Sequence, residues 1–79
     1  MNLYNLNQKI MPRETKLYRA TFDNLKHGNK MFRAYDDYAA AKRAGKISTE
    51  NGYGKVSHIY EIHERTHIIL RSAKLREVT

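Results

Sequence analysis

The sequence predicts an α+β domain: a small antiparallel β-β-α-β-β sheet with one short helix packed on one face. Three observations predict it. Apolar and polar residues alternate on both sides of a turn-rich segment between Lys16 and Tyr35. An Asp-led, Ala-rich run, DDYAAAKRAGK, follows from Asp36, and β-branched and aromatic residues return from Lys55 to Leu70. Alternation at a period of two marks half-buried strands, and an Ala-rich run behind an acidic start marks a helix. A lone amphipathic helix among antiparallel strands buries its stripe against a sheet face.

Residues 1–15 form an N-terminal arm or short helix, with Leu3, Leu6 and Ile10 spaced as one helical face before Pro12 ends the run. Residues 16–79 form the single domain. KLYRATF, from Lys16, sets Tyr18, Ala20 and Phe22 on one strand face. DNLKHGN, from Asp23, is turn chemistry in which Gly28 supplies a positive φ, and KMFRAY, from Lys30, returns with Phe32 and Ala34 on one face. Asp36 is placed to cap a helix and Asp37 to sit in its first turn. Lys42 and Arg43 lie toward the other end, and Gly45 suits the left-handed residue that stops it. A helix of about ten residues does not stand alone in water, so Tyr38, Ala41 and Ile47 are expected to pack on the sheet. STENGYG, from Ser48, reads as a loop.

In the second hairpin Val56, His58, Tyr60 and Ile62 share a face. A three-residue turn over Glu64–Thr66 sets His63 opposite His67, Ile62 opposite Ile68 and Tyr60 opposite Leu70, gathering the apolar set on one side. A two-residue turn scatters it. SAKLREVT then extends the fourth strand or lies along the edge, and the alternative for Val56 to Val78 is one long helix. The predicted core is Tyr18, Ala20, Phe22, Phe32, Ala34, Val56, Tyr60, Ile62, Ile68 and Leu70.

Seventy-nine residues make one domain, near the size at which a single core barely suffices, so a deep cleft between lobes is not expected. The absence of Cys excludes disulfides and thiolate zinc sites and suits a reducing cytoplasm. No apolar run is long enough to span a membrane, and the N-terminus lacks the layout of a signal peptide. The expectation is a cytoplasmic protein without a membrane partner. Fifteen Lys and Arg against eight Asp and Glu give a net charge of +7, a field that favours nucleic acid, an acidic protein surface or anionic lipid as partner.

One motif points elsewhere. In IYEIHERTHIIL, from Ile59, the stretch His63-Glu64-Arg65-Thr66-His67 fits the H-E-x-x-H pattern, in which two His one helical turn apart bind zinc and the Glu serves as general base. The flanking Tyr60, Ile62, Thr66, Ile68 and Ile69 favour a strand, on which the two His stand about 13 Å apart. The Gly and the third-ligand His of the extended motif are replaced by Leu70 and Ala73. A zinc-dependent enzyme is thus the remote alternative. With no Cys nucleophile and no phosphate loop, the expected protein is not an enzyme and needs no cofactor.

The face opposite the predicted core carries Arg19, Arg33, Arg71, His63, His67 and Tyr35. Guanidinium forks suit phosphates and aromatic rings stack unpaired bases, which is what RNA binding requires. Ile59, Ile69 and Met31 on the same face would suit a protein partner. A second basic cluster comprises Lys42, Arg43, Lys46, Tyr53 and Lys55, with Lys26, His27 and Lys30 nearby. Its competing explanations are complementation of the helix dipole by Lys42, Arg43 and Lys46, and a loop anchor at Tyr53. Signatures of RNA-recognition, GXXG, helix-turn-helix and double-stranded-RNA modules are missing.

LYRATF, then KMFRAYDDYAAAKRAG running a strand into an Asp-capped helix, then VSHIYEI and a closing strand, give a layout over residues 16–72. It resembles small bacteriophage proteins of host takeover and counter-defence, including anti-CRISPR proteins. The resemblance implies a stoichiometric, non-catalytic binder aimed at a nucleic-acid-handling machine or its RNA. It assigns no residue a role. The expected function is RNA binding that acts on a ribonuclease or ribonucleoprotein. The alternative is an inhibitor that binds a protein directly, as a monomer or as a homodimer formed through a sheet edge.

Overall fold

Side chains on β1 (Lys16–Phe22) alternate, with Tyr18, Ala20 and Phe22 buried between less buried neighbours, as a strand covered on one face requires. The computed structural model describes residues 14–73, so the arm expected over residues 1–15 lies almost wholly outside the described residues. β1 is followed by β2 (Leu25–Ala34), α1 (Asp37–Asn51), β3 (Val56–Ile62) and β4 (Ile69–Ser72). The sheet order is β2-β1-β3-β4 with every pairing antiparallel, so the β-β-α-β-β α+β fold stands. β2 and β3 both oppose β1 and hence run parallel to each other, which requires the crossover that α1 provides.

The core forms where large side chains of the sheet meet small ones of the helix. Tyr18, Phe22, Phe32 and Ile59 face Ala40 and Ala44, with Tyr18 and Phe32 rings stacked at 6.1 Å and 15°. Burying a side chain the size of Phe22 or Phe32 contributes about 1.5–3 kcal/mol. The helix buries Ala40, Ala44 and Ser48, a stripe at a spacing of four, so its backbone approaches the rings closely. Tyr38, expected to pack on the sheet, is 65% exposed because it lies two positions from Ala40 and so on the far side of the helix from the buried stripe; Ala41 and Ile47 pack against the core as expected.

The helix is 15 residues long and passes through Gly45. Its left-handed terminator is Gly52 (φ 70°), whose N–H donates to the Ser48 carbonyl. At the other end Asp36 caps it, accepting from the Ala39 N–H at 2.8 Å. Ser48–Asn51, read as loop, belong to the helix.

Both hairpins depart from the expected register. The first turn is Asp23–Asn24, because Phe22 pairs with Leu25. Lys26–Asn29 belong to β2 and bulge opposite Thr21, and Gly28 has no positive φ. Asp23 and Asn24 donate backbone N–H groups to the carbonyls of Lys55 and Tyr53, which lets a turn without glycine hold. On β3, Phe22 pairs with Val56 but Thr21 with His58, leaving Ser57 as an extra residue. This bulge resets the alternation. Val56 and Ile59 therefore face the helix, whereas His58, Tyr60 and Ile62 face away: Ile62 is buried as expected, at 2% exposure, but on the other face of the sheet, Tyr60 is half-buried there, and Ile59 joins the core beneath the helix. Glu61 pairs with Arg71 and Ile62 with Ile69, rather than Ile62 with Ile68; Ile68 and Leu70 are 60% and 52% exposed.

Candidate nucleic-acid interface

Where α1 lies beside the C-terminal end of edge strand β2, the backbone opens into a groove lined by Thr15, Arg33, Ala34 and Tyr35 on one side and Ala39, Lys42, Arg43 and Lys46 on the other. Positions 39, 42, 43 and 46 are spaced at three and four, so they share a helix face, and small Ala39 leaves room between the cations. Among the described residues no acidic side chain lines the groove. Lys42 Nζ lies 5.7 Å from the ring centre of Tyr38 one turn before it, and Tyr35 and Tyr38 are 44% and 65% exposed.

Helix length bears on these cations. Because α1 ends at Asn51, its last turn contains no basic residue, and Lys42, Arg43 and Lys46 stand in its middle. The dipole therefore gives no reason for them, since its field acts within the terminal turns. Lys42 and Lys46, like charges four apart, oppose the helix by a few tenths of a kcal/mol. The three have no acidic partner among the described residues.

The arginines of the predicted sheet-face site separate. Arg33 points away from the helix at the groove's rim, where its Nη1 and Nη2 donate to Glu64 at 3.1 and 2.7 Å and its Nε to Thr15 Oγ1 at 2.8 Å. The Arg33 guanidinium holds the Glu64 carboxyl below its ordinary range. Arg71 sits on the helix side, because its partner Glu61 does, and it is taken up by Asp37 and Glu61. It belongs to the scaffold rather than to the predicted binding face. Arg19 remains on the face away from the helix, opposite Tyr60.

His63 and His67 do not face each other across strands. The His67 N–H donates to the His63 carbonyl at 3.0 Å and the His63 N–H to the Ile68 carbonyl at 2.9 Å, so His67 lies within the turn, at φ 63°. His63 Nδ1 accepts the backbone N–H groups of Arg65 and Thr66 at 3.1 and 3.3 Å. The five residues that match H-E-x-x-H form a turn closed by a histidine and tied to β2 through Glu64. Among the described residues no three His, Asp or Glu side chains converge to hold a metal ion.

Of the second predicted cluster, Tyr53 is the anchor of its loop: its ring packs 5.2 Å from Phe22, with Lys30 Nζ 5.6 Å from its centre. Lys55 is exposed just before β3, and its carbonyl holds the first turn. The structure thus brings Lys42, Arg43 and Lys46 to Tyr35 and Arg33, two residues that the sequence reading had placed in a separate site. Thr15 and Ala39 join the groove without a motif to mark them; the three- and four-residue spacing of Ala39 to Lys42 and Arg43 is the signal the sequence holds. No helix among the described residues is long and apolar enough to cross a membrane.

Comparison of the chain with protein-family models, with curated proteins and with solved structures finds no match.

Proposed function

We propose that this protein binds single-stranded RNA without catalysis, through the groove between α1 and β2. The observation that carries the reading is the row Lys42, Arg43 and Lys46: cations in mid-helix, without acidic partners among the described residues, lining a groove with an exposed tyrosine on its wall. Phosphates would lie along the row and unpaired bases against Tyr35 and Tyr38, the pairing of charge and rings that single strands require. In the host cytoplasm, such binding would sequester the RNA of a ribonuclease or ribonucleoprotein, in keeping with a counter-defence factor.

A second reading, direct binding to a protein of such a machine, is favoured by the exposed run Ile68, Ile69 and Leu70. The two separate by fluorescence anisotropy with labelled single-stranded RNA, duplex RNA and duplex DNA at about 50 and 200 mM salt. Preference for single-stranded RNA that survives the higher salt is expected, with its salt slope falling by about 0.7 for each cation lost in Lys42→Glu and Lys46→Glu. Weak, equal binding to all three, abolished by salt, would overturn the RNA reading.

A further inference from the structure

The bulge at Ser57 turns His58 and Tyr60 to the sheet face away from the helix, and their rings stack in parallel, 5.8 Å apart and 5° from coplanar orientation. The pair stands on β3, an inner strand. Across from it on β1, the other inner strand, Tyr60 faces Arg19 and His58 faces Thr21. Arg19 has no acidic partner among the described residues, and its other cross-strand neighbour is Met31, 50% exposed. The face thus presents two parallel planar rings, an uncommitted guanidinium and a thioether side by side.

This chemistry differs from that of the groove. The groove offers a row of charges to phosphates; here flat π surface dominates and a single cation borders it. Bases within a duplex are already stacked and hide their faces, whereas an unpaired base gains by stacking on an aromatic ring or a guanidinium plane. We infer that the sheet face away from the helix, around the exposed His58, is a second nucleic-acid site, which stacks an unpaired base on His58 and Tyr60 and places the adjoining phosphate at Arg19. The inference rests on the reading of the ligand as single-stranded RNA. Arg33, on this face of β2 and also at the groove's rim, lies between the two sites. A single strand that leaves the groove over the β2 edge would reach the platform.

Amide and side-chain NMR of the full chain, titrated separately with a short single-stranded RNA and with inorganic polyphosphate, tests it. RNA should shift the resonances of Arg19, His58 and Tyr60 as well as those of Lys42, Arg43 and Lys46, whereas polyphosphate should shift the cations and leave the rings of His58 and Tyr60 silent. His58→Ala, at an exposed position, should lower RNA affinity about fivefold or more, the low end for loss of one base stack, with polyphosphate affinity and salt slope unchanged. RNA that binds while Arg19, His58 and Tyr60 stay silent, or a His58→Ala variant of undiminished affinity, would overturn the platform and leave the groove. Polyphosphate binding without RNA binding would overturn the RNA reading and the platform with it.

Discussion

Arg71 on β4 donates from both terminal guanidinium nitrogens to Asp37 in the first turn of α1, Nη1 to Oδ2 at 2.9 Å and Nη2 to Oδ1 at 2.8 Å. Its Nε donates to Glu61 Oε1 at 2.9 Å, and the Tyr18 hydroxyl donates to Asp37 Oδ1 at 3.0 Å. One arginine thus ties β4 to β3 and to the helix start, over a tyrosine from β1. Removing it strands two carboxylates side by side. Because Arg71 is 45% exposed, Arg71→Ala should cost about 1 kcal/mol. Thermal melting should register a fall of about 4–8 °C for a domain of this size. RNA affinity should not change; its loss at full stability would return Arg71 to the binding surface.

The same network sets a pH dependence. The hydrogen bonds from Arg71 hold the Asp37 carboxyl below its usual range. A depressed carboxyl stabilises the fold above its unfolded value of about 3.9, and this contribution disappears as pH falls through the lower folded value. Tyr18 has the opposite sign: burial first, then its hydrogen bond to Asp37, push the phenol up to about 12. Its contribution is complete below about pH 10 and is lost as pH rises toward 12. Melting temperature should therefore fall at both ends of a pH series. Asp37→Asn should flatten the acid limb and Tyr18→Phe the alkaline one; limbs unaltered in both variants would locate the linkage elsewhere.

Gly45 and Gly54 should respond oppositely to alanine. Gly45 lies inside α1 without a positive φ, and nothing lies within 4 Å of an added Cβ. Gly45→Ala should stabilise by about 0.5–1 kcal/mol, the difference in helix propensity. Gly54 has φ 79°, and its Cβ would stand 2.8 Å from Asn24 Nδ2. Gly54→Ala should destabilise by about 1 kcal/mol or more, since strain adds to a clash against the first hairpin turn. Denaturant midpoints at constant m-value measure both.

Glu64 occupies the Arg33 guanidinium at the groove's rim. Its carboxylate takes the Arg33 guanidinium in the bidentate geometry that a phosphate would use. Glu64→Gln should free Arg33 and raise affinity for single-stranded RNA several-fold at low salt, an effect absent in Arg33→Gln. Reduced affinity in Glu64→Gln would show instead that the ion pair holds the groove in its binding shape.

Local chemistry determined much of this protein. Asp36 as the helix cap, the alternation that buries Tyr18, Ala20 and Phe22, the order of the five elements and the surplus of cations are all legible in the sequence, because each depends on neighbours within one turn or one strand. The tertiary structure decided which face each later residue takes. The extra residue at Ser57 shifts the parity of β3, and no count at a period of two reveals it. It sends Ile59 inward, and Tyr60 outward to stack with His58. Pairing across 31 and 34 residues decided which arginines are spent, Arg33 on Glu64 and Arg71 on Asp37. Among the described residues Lys42, Arg43 and Lys46 remain without such partners, because their helix face looks into a groove lined by no acid. Charge is a property of composition, but an uncommitted charge is a property of which distant side chains the fold brings near.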